Sequence, residues 1–167
     1  MDFINHTIAW CKGEIFEGRM LFLFGILVLI VALSFWKWGK TPNAKAMVIP
    51  LLVVALLCSA VGLSLNFNNQ NRIVKYQQAY AEDAEGFIHS EKERTDAFIK
   101  WYPFTLFTMA GLIVFGLLVF LFLKSPTWKA IGIALVLLGF SVLFLDHFSE
   151  ERAETYHKAI VKQLKIE

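Results

Sequence analysis

Ionisable residues are missing from long stretches of this chain, and their absence is the first constraint on it. Four runs, 20–36, 46–65, 104–123 and 130–145, hold no Asp, Glu, Lys, Arg or His. A charge at the centre of a bilayer is costly and marks an ion pathway or proton relay, so a pump or voltage sensor of the ordinary kind is disfavoured. Cysteine is scarce: Cys11 and Cys58 match no metal-binding or redox spacing, and no disulfide between them is expected. No phosphate loop, nucleophile elbow, zinc spacing or dinucleotide fingerprint occurs, which leaves a soluble-type enzyme without support. There is no basic patch with interleaved aromatics, so nucleic acid is not expected as a partner. The first apolar run lacks a basic segment before it and a small-residue cleavage pattern after it. It is therefore expected to stay in the mature protein rather than act as a secretory signal.

What is present is apolar. Hydrophobic residues make up 57% of the 167, and the mean hydropathy of +0.56 lies above the soluble range. A helix rising about 1.5 Å per residue needs roughly 20 apolar residues to cross a hydrocarbon core of about 30 Å. The four charge-free runs, of 17, 20, 20 and 16 residues, qualify as spans, the first just sufficing if the flanking Arg19 and Lys37 snorkel to the interface. The expected class is an all-α integral membrane protein whose four transmembrane helices form two tandem hairpins, with long helical extensions on one side.

The segments divide as 1–19, an N-terminal amphipathic helix; 20–65, the first hairpin; 66–102, a polar helical segment; 103–145, the second hairpin; and 146–167, a C-terminal polar helix. Within the hairpins, KWGKTPNAK at 37–45 and KSPTWK at 124–129 read as tight turns. They carry Lys37, Lys40, Lys45, Lys124 and Lys129 and no acid, whereas every Asp and Glu falls on the opposite side. Trp36, Trp38 and Trp128 mark one interface; Trp10, Trp101 and Tyr102 mark the other. Lysine bias across the first span favours lysine turns in the cytoplasm, with the N- and C-termini on the opposite face. The acidic side nevertheless holds more Lys and Arg in total.

From Asn66 the second span is expected to continue as one rod to Gly86, the first Gly or Pro it meets. The tail after Leu145 has neither residue, and Ile160, Val161 and Leu164 form an apolar stripe on it. Ser90 to Trp101 reads as another polar helix, stopped by Pro103. Near the start, Phe3, Ile4, Ile8, Cys11 and Ile15 share a face. That face suits a helix lying in the membrane interface or, alternatively, one packed on the protein's own polar part.

The two hairpins also repeat. Lys40-Thr-Pro-Asn-Ala-Lys-Ala46 parallels Lys124-Ser-Pro-Thr-Trp-Lys-Ala130. After a four-residue length difference in the span, Arg72 falls on Arg152, Tyr76 on Tyr156 and Ala79 on Ala159. A parallel repeat places the copies about a pseudo-twofold along the membrane normal. The shared residues fall on one helix face, expected to point at its counterpart with Ala79 and Ala159 allowing close approach. Ala55 with Ser59, Ala60 with Ser64 and Ala130 with Ala134 supply small-residue patches for a left-handed four-helix bundle.

Candidate interaction residues are Arg72, Tyr76, Arg152 and Tyr156, together with Asp146 and His147 where the fourth run ends. Arg152 has Asp146, Glu150 or lipid phosphates as prospective partners. Glu154-x-x-His157, with His89, is the only arrangement resembling a metal site. Since di-iron bundles need two such motifs and the repeat partner offers Val74 and Gln77, a solvated salt-bridged helix is favoured, and no cofactor is expected. The amides of Asn66 to Asn71 form either a polar cavity mouth or an ordinary return to water. The leading functional expectation is a non-enzymatic membrane subunit that docks a partner or itself through its extramembrane helices, in a homo-oligomer or larger complex within the lipid bilayer. The alternative is a small channel or transporter for a solute, ion or lipid, lined by Ser59, Ser64, Thr105, Thr108 and Ser141. A metal-dependent enzyme is a weaker third.

Overall fold

A computed structural model describes residues 3–164. Five helices follow in order: α1, Phe3–Trp38; α2, Pro42–Glu82; α3, Ala84–Ile99; α4, Tyr102–Phe122; and α5, Pro126–Leu164. α1, α2, α5 and the run containing α4 are each long and apolar enough to cross a membrane.

The breaks between helices have local causes. After α1, the Gly39 N–H closes on the Phe35 carbonyl at 2.9 Å. Thr41 then caps α2 by accepting from the Ala44 N–H at 3.2 Å, and Pro42 occupies the first turn, where a missing N–H costs nothing. The second turn is built alike, with Pro126 opening α5. In both, the residue before proline accepts from the N–H four positions on, Lys45 to Thr41 and Lys129 to Ser125, each at 3.1 Å. α2 stops at Glu82, one turn short of the expected Gly86, because Asp83 serves both sides. Its N–H closes on Ala79 at 3.0 Å and its carboxylate accepts from Gly86 at 2.9 Å. A Cβ on Gly86 would lie 2.2 Å from that carboxylate, so a side chain there would make the carboxylate turn aside.

Packing in the apolar part depends on glycine. A Cβ on Gly62 would sit 2.5 Å from the Gly18 carbonyl oxygen, and one on Gly132 would sit 2.5 Å from that of Gly116. α1 and α2 therefore touch backbone to backbone, as do α4 and α5. Gly25 lies against Ala55 and Ser59, using one of the expected small patches, whereas Ala60 and Ser64 are exposed. A core of Leu21, Val28, Ala32, Leu51, Val54, Ala55, Cys58 and Ala134 joins α1, α2 and α5.

The arrangement is more open than the expected four-helix bundle. α5 lies between α4 and the α1–α2 pair, and α4 packs extensively only on α5. It is the least buried of the four long apolar segments. The cause is sequence: α4 has one glycine seam, at Gly116, and otherwise presents bulky residues such as Phe107, Phe115 and Leu121 outward.

In the polar part, a second core gathers Phe3, Trp10 and Cys11 of α1, Phe87 and Ile88 of α3, and Tyr156 and Ile160 of α5, with Ile73, Tyr76 and Tyr80 of α2 packed against it. The helix expected to lie in an interface plane is thus the first half of a continuous α1, and its apolar face is spent on the protein's own polar body. The expected meeting of the two repeat-related rods is also revised. Ala79 and Arg72 are exposed, because Phe87 of α3 occupies the face beside Tyr76 and Tyr80.

Candidate functional site

Where the apolar part meets the polar part, α1 presents Glu14 and Glu17 one turn apart, facing Arg152 of α5. The two terminal guanidinium nitrogens are both committed: Nη1 donates to Glu17 Oε1 at 2.5 Å and Nη2 to Glu14 Oε1 at 3.0 Å. The arginine stem reaches them across bare backbone, since a Cβ on Gly13 would lie 2.6 Å from Arg152 Cδ. Ser149 also donates to Glu14 at 3.1 Å, so the 2.9 Å contact between Tyr102 and Ser149 is one in which the tyrosine donates. α4 is thereby tied into the cluster.

The cluster has more acid than base. Burial, opposed by Arg152, pushes the Glu17 carboxyl above its ordinary range. Asp146 is pushed up to about 6, first by burial and then by the negative charges of Glu150 and Glu17. Glu17 Oε2, Asp146 Oδ2 and Arg152 Nε are buried and find no hydrogen-bond partner among the described residues.

A second network lies one to three turns further out. The Tyr156 hydroxyl donates to Glu91 Oε2 at 2.9 Å, so Thr7, also at 2.9 Å, donates to Tyr156. Arg94 grips the same carboxylate with two bonds, at 2.9 and 2.6 Å, while its guanidinium stacks 4.6 Å from the centre of the Trp10 ring. Every partner of this buried ion pair is filled, the condition under which burial is tolerated. The Cys11 thiol beside it is pushed up to about 11 by burial, so it is not an activated nucleophile.

Below the Arg152 cluster, a groove of about 690 Å³ opens between α1 and α5. Its walls are almost wholly apolar, with Phe16, Met20 and Phe24 on one side and Phe140, Phe144 and Phe148 on the other. Glu17 and Arg152 form its polar end. Beyond Arg152 the seam continues as a smaller cleft of about 380 Å³ that His6, Trp10, Glu151 and Thr155 help to line.

The residues singled out from sequence are distributed unevenly around this site. Arg152 and Asp146 belong to the cluster, and Tyr156 to the neighbouring network. Tyr76 is half-buried edge-on to Phe87. Arg72 is exposed and donates to Asn69 at 3.4 Å, while His147 is exposed against Phe148. Arg152 pairs with α1 rather than with Asp146 or Glu150. Among the described residues, no group of three or more His, Cys, Asp or Glu is placed to hold a metal ion. His157 instead bonds Asp96 at 2.7 Å, Glu154 lies 3.8 Å from Lys158, and His89 is exposed.

Three of the five hydroxyls expected to line a conduit bond back onto their own helices, Thr105 to the Trp101 carbonyl, Thr108 to that of Phe104 and Ser141 to that of Leu138, while Ser64 accepts from Asn68 and Ser59 lies against Gly25. The Asn-rich run is likewise spent along α2, where Gln70 bonds Asn66 and the buried Asn69 bonds the Leu65 carbonyl.

Sequence reasoning passed over Glu14 and Glu17 as a site, as it did Glu91 and Arg94. A signal for the first pair was present. They are the only acids between Asp2 and Glu82, three residues apart, and end just before a charge-free run. No protein-family model, curated protein or solved structure matches this chain.

Proposed function

We propose that this chain is an integral membrane protein of four crossings, made of two tandem hairpins, that holds the hydrocarbon chain of an amphiphile in the α1–α5 groove without altering it chemically. One observation carries the reading: an apolar groove that opens sideways toward the lipid-facing surface and ends at a buried charge cluster. Along α5 it runs from Leu137 to Arg152, roughly 22 Å at about 1.5 Å per residue. That is somewhat more than one leaflet's share of a core of about 30 Å, so a lipid tail can lie in it from the headgroup level toward the midplane.

The alternative in which a lipid is carried or held is thus favoured over docking through the extramembrane helices. The stripe that supported docking is consumed internally, with Ile160 fully buried against α1 and α3. Support for tandem hairpins comes from the structural register. One constant offset carries Trp38 onto Phe122, Pro42 onto Pro126, and the Gly25–Ala55 contact onto that between Met109 and Gly139. Lysine bias supports the turns facing the cytoplasm and both termini the other side.

The test is photolabelling in nanodiscs with a lipid carrying a diazirine on its acyl chain. Labelled peptides are expected to concentrate on Phe140–Phe148 and Phe16–Phe24. Labelling spread evenly over these and the equally apolar outer face of α4, around Phe107 and Phe115, removes the groove as a binding site.

A further inference from the structure

Resting on that reading of the groove, we propose that its polar end selects an amphiphile whose headgroup is a protonated amine, held by Glu17 with Asp146 beside it.

Three observations point the same way. Glu14, Glu17 and Asp146 gather at this level of α1 and α5 with Arg152 among them, while Glu150 and Glu151 of α5 and Lys12 and Arg19 of α1 stand exposed around them. A surplus of negative charge is therefore fixed at the end of an apolar channel, where the low dielectric strengthens its pull on a cation.

Arg152 is also unsuited to receiving an anion. Each terminal nitrogen spends one of its two N–H groups on Glu14 or Glu17, and Nε lies against the backbone of Gly13. An incoming phosphate or carboxylate would meet a guanidinium whose charge two carboxylates already offset.

Apart from Arg152 Nε, which lies against Gly13, the unfilled atoms at this end are acceptors. Glu17 lines the groove, its side chain is only 8% exposed, and its Oε2 has no hydrogen-bond partner. Asp146 Oδ2 is unfilled in the same way. A buried carboxylate oxygen without a donor is costly, and a primary ammonium supplies three donors and no acceptor. A hydroxyl supplies one donor and no charge, and a quaternary ammonium supplies charge but no N–H. Of these three, the ammonium is the one that answers both needs.

Such an amine has two sources, the ethanolamine headgroup of a lipid in the same leaflet or a free long-chain amine arriving from water. Both are tested on the full chain in phosphatidylcholine nanodiscs, whose headgroup carries no N–H. In one arm dodecylamine, dodecanol and dodecanoate are titrated and binding is followed by Trp10 fluorescence and calorimetry. In the other, the discs contain equal small amounts of phosphatidylethanolamine and phosphatidylglycerol, and the lipid retained on the protein is identified by native mass spectrometry.

Dodecylamine is expected to bind at least about tenfold more tightly than dodecanol, with dodecanoate weakest, and Glu17→Gln to bring amine and alcohol to near parity. Asp146→Asn is the companion variant, expected to narrow the same ratio if Glu17→Gln does not fold. Ethanolamine lipid retained with no amine preference in the first arm assigns the lipid as the source, and the reverse assigns the free amine. Equal binding of all three chains, without headgroup enrichment, overturns the amine inference and leaves the groove standing. Preference for dodecanoate or phosphatidylglycerol overturns it as well. No binding of any chain, with no retained lipid, overturns the groove reading itself.

Discussion

Glu91 and Glu17 are both buried acids, yet they meet burial differently. Glu91 has each oxygen bonded, to Arg94 and Tyr156, whereas Glu17 leaves one oxygen empty. Tyr156→Phe tests the filled case. It strips a donor from Glu91 and the acceptor from Thr7, without opening a cavity, and a loss of about 1–3 kcal/mol is expected. Denaturant melts of the purified protein measure it, and an unchanged midpoint would remove the network as a stabilising element. The pH response tests the unfilled case. Asp146, pushed up to about 6, faces Glu17 from α1, Glu150 on its own helix and Tyr102 from α4. The folded state holds this proton more tightly than the unfolded chain, so the ionised form costs stability, and that cost is relieved as the pH falls through about 6. Glu17, also raised, acts with the same sign. The thermal midpoint in detergent is expected to rise from about pH 7.5 to about pH 5, and to rise less in Asp146→Asn. At this scale the sequence was partly legible. Arg152 and Tyr156 stood out through the apparent repeat, but their partners on α1 and α3 did not, because a pairing across 65 to 149 residues leaves no local spacing to read.

Among the elements, four were legible and one was not. Charge-free runs and paired Lys-Pro turns place the hairpins because both are local properties of the chain. The N-terminal helix was harder, since an apolar face on a short segment looks the same whether lipid or protein will cover it. Which glycines matter was equally hidden, and the structure separates them. Gly116 lies where an added Cβ meets the Gly132 carbonyl oxygen at 2.7 Å, whereas a Cβ on Gly111 of the same helix meets nothing within 4 Å. Gly116→Ala is expected to force α4 away from α5 and cost about 1–3 kcal/mol. Gly111→Ala, on the open face, is expected to be neutral or slightly stabilising, because alanine is the better helix former. The two variants share helix and chemistry, so their melting midpoints in detergent compare close approach with open space directly. Equal midpoints would mean that the α4–α5 contact contributes nothing to stability.

At the scale of the molecule, the question is what holds two hairpins together when α4 packs extensively on α5 alone. On the proposed reading that the apolar part lies in lipid, one apolar surface gains little by meeting another, so packing and polar contacts must supply the cohesion. α5 meets α1 and α2 in the apolar part through Ala134 and its neighbours. In the polar part it meets α1 through Arg152 with Glu14 and Glu17, and through Tyr156 with Thr7. The link between the hairpins is slight by comparison, since Asp83 is the single residue separating α2 from α3. Cutting the chain there removes one capping interaction and leaves every contact between the halves intact. Residues 1–82 and 83–167, coexpressed as separate chains, are therefore expected to copurify through a tag on the first half. Adding Arg152→Leu leaves Glu14 and Glu17 buried without their cation, and an unpaired buried charge costs about 3–5 kcal/mol. Recovery of the second half is expected to fall severalfold with that change. If the intact halves never copurify, the contacts between hairpins are too weak to assemble them, and the connecting segment must be what keeps them together. If Arg152→Leu makes no difference, the apolar contacts of α5 suffice, and the charge cluster is spared for the groove it closes.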